Sequence, residues 1–294
     1  MEKFVFNLEA ELFSLYQELN DSTYQHGDYR YFIVSENKKR EVSVASVRDR
    51  IVHRIVYDYL NPIFNPDFDD DVWSCRKNKG LLGAILRTQQ LLQKNPRRRV
   101  WRGDVRKFFD NVDHGILFKF IQRKVFDSDA LRIISDVIQS YQYEKESKKN
   151  RGIPIGNLTS QIFANIYLDE FDQFVRRTLN PLAYLRYGDD FIIIAETENE
   201  LENFRNKAEN FLYIKLKLTL HSKNGCLLKT KRGVKFLGMQ IFPRGRRLNK
   251  RNRNKIENNL NIRDYSSYWG IVQWHEKKCQ KYLFQWKGIS LVDV

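Results

Sequence analysis

The chain has 294 residues and a formal net charge of +15, from 51 Lys and Arg against 36 Asp and Glu. With 42% apolar and 14% aromatic residues it can build a substantial core, which excludes a wholly disordered chain. No apolar run approaches the ~18 residues of a membrane span, and Cys75, Cys226 and Cys279 are isolated, which leaves neither a disulfide framework nor a CxxC metal knot. Met1-Glu2-Lys3-Phe4 leads into a charged segment rather than a signal peptide, so a cytoplasmic protein with a polyanionic partner is expected.

In chain order, Leu8, Leu12, Leu15 and Leu19 stand at helical spacing within residues 5–20. Residues 29–35 and 41–44 read as a strand pair around the basic turn Asn37-Lys38-Lys39-Arg40. Residues 47–60 return to helix and should stop before Pro62; residues 81–92 form another. Residues 100–105 are a strand, Asp113 looks like an N-cap, and residues 129–141 are helical. The longest helical stretch is 158–179. Two strands, 182–187 and 191–195, flank a very short turn. A helix over 198–212 and strands over 216–220 and 234–242 follow. Mixed elements around a central hairpin point to an α+β or α/β chain rather than a repeat solenoid. From Arg244 to Lys287 the tail carries twelve basic and three acidic residues, interleaved with seven aromatic ones, and reads as helices. Such a surface suits phosphates and stacked bases or sugars, while some of its rings must form a small core.

The sharpest feature is Tyr187-Gly188-Asp189-Asp190 between two β-favouring runs. Gly at the first central position of a two-residue loop fits a II′ hairpin turn. A solvated hairpin tip is the competing reading. A second acid, Asp104, ends the strand over 100–105, and a neighbouring antiparallel strand could bring it beside Asp189. Three clustered carboxylates would repel one another, which makes sense where divalent cations neutralise them. All-oxygen ligands favour Mg²⁺, and two such ions stabilise the attacking and leaving oxygens of a phosphoryl displacement.

The order of blocks resembles the reverse transcriptases over nearly the whole chain. Arg40-Glu41-Val42 with Asp49-Arg50-Ile51-Val52, and Trp73 through Gly80, resemble the two fingers blocks. Asp104 through Asp110 resembles palm motif A, Gly152 through Gln161 motif B, and Tyr187 through Asp190 motif C. Leu218 through Lys223 resembles motif D, and Phe236-Leu237-Gly238 motif E. The resemblance implies an α+β right-hand polymerase: fingers and palm interwoven over 1–240, with a palm core of about 97–123 and 152–242, and a basic helical thumb over 241–294. The palm should be a small antiparallel sheet backed by helices.

By the same resemblance Asp104, Asp189 and Asp190 are catalytic and, with Val105, hold two Mg²⁺ ions. Asp110, Asp113, Asp169 and Asp172 are better explained by capping or solvation. Phe109 stacks under the incoming sugar and excludes a 2′-hydroxyl. Lys38 and Arg40 meet the dNTP phosphates, for which guanidinium is suited as a bidentate donor. Lys223 protonates the pyrophosphate leaving group, with surface solvation an equal rival. Arg76, Phe108, Ile155, Gly156, Gln161 and Tyr187 join dNTP or template binding, a plain core ring being the competing reading for Phe108. His26, His53, His114, His221 and His275 form no ligand pattern.

Ile155-Gly156 and Ser160-Gln161 stand where most of the family have Gln-Gly and Ser-Pro. This version is similar to the reverse transcriptases of diversity-generating retroelements, which copy a template RNA into cDNA with errors at template adenines. The partners so implied are template RNA, a cDNA primer–template duplex, dNTPs and an accessory oligomeric basic protein, in a bacterial, phage or archaeal host. Group II intron or retron-type enzymes are the alternative, and a non-catalytic nucleic-acid-binding palm relic is the alternative of another class.

Overall fold

The computed structural model describes residues 6–35, 39–141, 150–221, 227–258, 260–275 and 278–290. The first elements are α1 (Leu8–Asn20), β1 (Arg30–Ser35), β2 (Lys39–Val44), α2 (Val47–Phe64), α3 (Leu81–Lys94) and β3 (Arg99–Asp104). Next come α4 (Phe108–Asn111), α5 (His114–Gln122), α6 (Ser128–Gln139), α7 (Leu158–Phe174), β4 (Ala183–Tyr187), β5 (Asp190–Ala195) and α8 (Glu198–Leu216). The chain closes with β6 (Leu227–Lys229), β7 (Val234–Phe236), β8 (Met239–Phe242), β9 (Gly245–Leu248), α9 (Lys250–Asn258), α10 (Ile262–His275) and α11 (Lys278–Ser290). The α+β class expected from the sequence is the class observed. No described helix is long and apolar enough to cross a membrane.

The elements divide into two compact units, each assembled from three segments. The first comprises Met1–Asp70, Val105–Thr178 and Lys207–Leu220. Its centre is α7, which is buried on nearly every face and packs against α2 and α5. Local chemistry starts its helices: the side chains of Ser46, Asp113 and Asp127 accept the N–H groups of Asp49, Ile116 and Ala130. The β1–β2 hairpin is antiparallel, with Arg30 opposite Val44. Ser43 N–H donates to Ile155 O at 2.9 Å, and the Asn157 amide donates to Ser43 O at 2.7 Å.

The second unit comprises Asp71–Asp104, Leu179–Asn206 and His221–Val294. Its four-stranded sheet has the order β4-β5-β3-β6, and a three-stranded sheet has the order β7-β8-β9. Residues alternate between sheet faces. One face carries Val100, Ala183, Leu185, Ile192 and Ile194 into a core shared with α3, β7–β9 and the helices of the tail. On the other face Trp101 meets Phe191 edge-on at 5.3 Å. Both faces of β5 are covered, which accounts for the unbroken apolar run Phe191–Ala195.

Four sequence expectations are corrected. Helix α2 does not stop before Pro62 but runs to Phe64: Pro62 lies in the last turn, burial of Leu60 and Phe64 holds that turn, and Asn65 N–H closes on Asn61 O. Residues 216–220 are not a strand. Leu216 ends α8, Lys217 turns left-handed at φ 53°, Leu218 N–H folds back to Leu212 O, and Leu220 makes a single bridge to Val105. Residues 234–242 are two strands, because Leu237 and Gly238 both take positive φ (49° and 79°), the signature of a I′ turn. The tail is not all helix: Gly245–Leu248 forms β9 on β8.

Candidate active site

The β3–β5 ladder sets the site. Its antiparallel register puts Gly103 opposite Phe191 and Asp104 opposite Asp190. Directly opposed residues point to the same face, so the two carboxylates stand side by side, about 5 Å apart at their backbones. The register is tight because Gly103 has no side chain: a Cβ there would lie 2.1 Å from the Phe191 ring. His221 N–H donates to Asp104 O at 2.9 Å and fixes the end of the strand.

Asp189 occupies the adjoining turn. Tyr187 pairs with Asp190, leaving Gly188-Asp189 as a two-residue loop, and Gly188 has φ 64° as a II′ turn requires at its first central residue. Both backbone groups of Gly188 are held. Its N–H donates to Ser74 Oγ at 2.8 Å, and its carbonyl accepts from Arg186 Nη1 at 3.0 Å. Arg186 is fully buried, and its own backbone is laced to the segment before Ser74 by Arg186 N–H to Asp71 O and Trp73 N–H to Arg186 O, each 2.9 Å.

A guanidinium faces the carboxylates. Arg102 donates through Nε to Asp190 Oδ1 at 2.6 Å and through Nη2 to Oδ2 at 2.5 Å, a bidentate fork, while Nη1 reaches Lys235 O at 3.2 Å. Burial disfavours the charged form of Arg102. The hydrogen bonds that Arg102 donates to Asp190 and the charges of Asp190, Asp104 and Asp189 outweigh it and hold the pKa above the ordinary arginine value. All three aspartates therefore act on one cation. Among the described residues no three His, Cys, Asp or Glu side chains stand ready-made as a metal cage. The donor chemistry nonetheless suits a hard cation: carboxylate oxygens alone, on adjacent strands and the turn that joins one of them to β4.

The remaining sequence-derived residues distribute as follows. Val105 is buried and bridges Leu220. Phe108 is a core ring, buried against Tyr167, while Phe109 is half-buried and packs edge-on against Phe108 at 5.3 Å. Ile155 is half-buried, whereas Gly156 and Gln161 are exposed. Gly156 takes φ 110°, and a Cβ there would meet Val42 Cγ1 at 2.6 Å. Tyr187 is half-buried, and burial with the neighbouring Cys75 raises its phenol pKa. Arg76 donates to Val72 O at 3.3 Å. Arg40 lies in β2 opposite Val34. Lys38 and Lys223 lie outside the described residues. Asp113 is the expected cap, and Lys217 and Arg151 also pair with it. Asp172 is neither a cap nor solvated but fully buried, on the inner face of α7 beside the buried Phe171.

Sequence reasoning missed Arg102, Ser74 and Arg186. The period of two along β3 was a usable signal for Arg102, since residue 102 shares its face with residue 104. It also passed over a histidine pair in the first unit. His26 Nδ1–H donates to Gly27 O at 2.6 Å, His26 Nε2 and His53 Nε2 share a hydrogen bond at 3.0 Å, and His53 Nδ1 and the Thr159 hydroxyl share another at 2.5 Å. In the tail, Tyr265 and Trp269 stack on Phe284 at 4.8 and 5.9 Å, while Tyr282 and Trp286 are exposed.

The comparisons with known proteins bear on the family and the fold. The family model described as reverse transcriptase (RNA-dependent DNA polymerase) matches residues 30–241. Protein YkfC of Escherichia coli is 27% identical over 274 residues, covering 80% of this chain and 72% of YkfC. The group II intron-encoded protein LtrA of Lactococcus lactis is 23% identical over 303 residues, covering 79% of this chain, which spans only half of LtrA's length. Among solved structures, telomerase from Candida albicans in complex with a TWJ fragment of telomeric RNA shares the fold at a TM-score of 0.55 and 12% identity. That match covers 92% of this chain and 60% of the telomerase chain. With seven motif blocks in order and 212 consecutive residues matched, this chain belongs to the reverse transcriptase (RNA-dependent DNA polymerase) family.

Proposed function

We propose that the chain copies a template RNA into cDNA by nucleotidyl transfer from dNTPs, with Asp104, Asp189 and Asp190 as the catalytic carboxylates. The observation that carries this is the pairing of Asp104 with Asp190 next to the Asp189 turn. Two Mg²⁺ ions, held by these carboxylates and the Val105 carbonyl, would supply charge neutralisation at the attacking and leaving oxygens. The chain's own contribution is placement: the ladder holds two carboxylates abreast, and Ser74 and Arg186 hold the turn that bears the third. Phe109 would exclude the ribose 2′-hydroxyl. Lys38, Arg40, Arg76, Gly156, Gln161 and Tyr187 would position dNTP and template, and Lys223 would protonate the pyrophosphate. In this reading the β4-β5-β3-β6 sheet is the palm, and α9–α11 are a thumb that grips the template–primer duplex through its phosphates.

Labelled-dNTP incorporation on a primed RNA template tests the assignment. Incorporation should vanish in the Asp189→Ala/Asp190→Ala double variant while its circular dichroism and melting remain those of a folded chain. Incorporation by the folded double variant would overturn the reading, and its absence from the parent enzyme would favour a non-catalytic nucleic-acid binder.

Within the family, the Ile155-Gly156 and Ser160-Gln161 pattern supports an error-prone enzyme of a diversity-generating retroelement, acting with an accessory basic oligomeric protein. A second reading, an intron-type enzyme, is favoured by the likeness to LtrA. Sequencing cDNA made from one RNA template separates them: errors concentrated at template adenines favour the first.

A further inference from the structure

We propose that Arg102 is a resident counter-cation of the carboxylate site, a positioning residue that holds Asp190 and competes by its charge with a divalent cation for the site. The proposal rests on the reading of the three aspartates as a metal site and adds a residue that the family motifs do not supply. Its first support is geometric. Both oxygens of Asp190 are taken, at 2.6 and 2.5 Å, by the two donors of one planar fork. Such pairing fixes the plane of the carboxylate as well as its charge.

The second support is that the fork is itself anchored. Its third nitrogen reaches Lys235 O on β7 at 3.2 Å, so the guanidinium is braced from two strands. The third is placement. Arg102 shares its sheet face with Asp104, and Asp104 faces Asp190 across the ladder, which sets the guanidinium diagonal to the pair. An ordinary surface ion pair would contribute little. This one is different in that the Asp190 side chain is 17% exposed and both its oxygens are engaged by the same guanidinium.

Two consequences follow from electrostatics. Removing the guanidinium takes one positive charge away from beside the carboxylates, so their mutual repulsion favours an incoming divalent ion more strongly. An ion that binds Asp190 comes up against a carboxylate whose two oxygens already each accept a bond from Arg102, on the lone pairs that the fork leaves. Arg102 thus raises the free cation concentration at which the site fills, and keeps the strand pair intact while it is unfilled.

The test is titration of Mn²⁺ alone into the full chain, without dNTP or nucleic acid, read by the electron paramagnetic resonance signal of free Mn²⁺ and by the melting temperature. Arg102→Gln should bind Mn²⁺ about tenfold more tightly than the parent, a unit-charge Coulomb effect discounted for the solvent that reaches residue 102. Its melting temperature should also climb more steeply with Mn²⁺. Arg102→Lys, which keeps the charge without the fork, should fall between the two. Equal Mn²⁺ affinity in the parent and Arg102→Gln would overturn the proposal. Where Arg102→Gln does not fold, Arg102→Lys decides by the same titration, affinity equal to the parent's again overturning it. Asp104→Asn separates the two levels of the argument: if it leaves Mn²⁺ binding at full strength, the metal assignment itself is wrong, whatever Arg102 does.

Discussion

Asp104 lies directly across the β3–β5 ladder from Asp190, two acids at matched positions on neighbouring strands. Like charges directly opposite destabilise a sheet, so local strand stability alone gives no reason for this pair. Arg102 offsets part of the repulsion through its fork on Asp190. The rest of the unit is built to hold the arrangement: an apolar core under one face of the sheet, a ring packed against Gly103 on the other, and a clamp on the turn that carries Asp189.

The contact between Gly103 and Phe191 gives the first prediction. A Cβ at residue 103 would enter the Phe191 ring, which is buried and flanked edge-on by Trp101. Gly103→Ala should cost about 1–3 kcal/mol of stability, the usual range for overpacking, and should lower polymerisation by shifting Asp104. Urea denaturation reads the first effect and primer extension the second. Adding Phe191→Leu should recover part of both, and a single variant as stable as the parent would contradict the packing argument.

The clamp on the turn gives the second. Ser74 Oγ accepts the Gly188 N–H, and Ser74→Ala removes that acceptor. The expected loss is about 1 kcal/mol, one neutral hydrogen bond, with a fall in kcat larger than any change in KM for dNTP, because the turn positions a carboxylate rather than the nucleotide. Single-turnover extension measures the split. Unchanged kcat would mean that the turn keeps its geometry without Ser74.

The histidine pair gives a pH dependence. Burial, then the neighbouring His26, lowers the His53 pKa from 6.5 to about 4. In the unfolded chain His53 takes up a proton near pH 6.5, while in the folded chain it resists until about pH 4. Its contribution is fully present above pH 6.5, is lost as pH falls from there to about 4, and is constant below that. The loss amounts to about 3 kcal/mol. Denaturation at a series of pH values should show this slope, and His53→Gln should be less stable at neutral pH but flatter between pH 4 and 6.5. An equally steep variant would remove His53 as the cause.

Ile155 gives the fourth. Its carbonyl is pinned by Ser43 N–H at 2.9 Å, and its side chain offers neither a donor nor an acceptor. Ile155→Gln should raise fidelity, since one hydrogen bond of ~1 kcal/mol changes selectivity by several-fold. Misincorporation opposite adenine, counted on one RNA template for parent and variant, checks it, and equal error rates would discard the idea.

Much of the site was legible along the chain because its chemistry is local. Gly188 supplies a positive φ to its own turn, Asp113 caps its own helix, and the β-branched run Phe191–Ala195 reads as a strand. Where a signal was ambiguous over a few residues the reading slipped. Leu237-Gly238 hid a turn inside an apparent strand, and Pro62 suggested a stop that the burial of Phe64 overrides. Asp172 has the residue type of a solvated acid, and only the packing around α7 makes it an interior one.

The sequence by itself determined the class of fold and the family, and it singled out the three aspartates as candidates, because periodicity, turn residues and motif order are properties of neighbours in the chain. The tertiary structure alone decided that Asp104 faces Asp190, that Arg102 grips Asp190 from 88 residues away, that Ser74 holds Gly188 from 114 away, and that His26 meets His53. Those pairings depend on strand register and on which helices share a core, and both are set by burying apolar area across the whole unit rather than by any preference of the residues that meet.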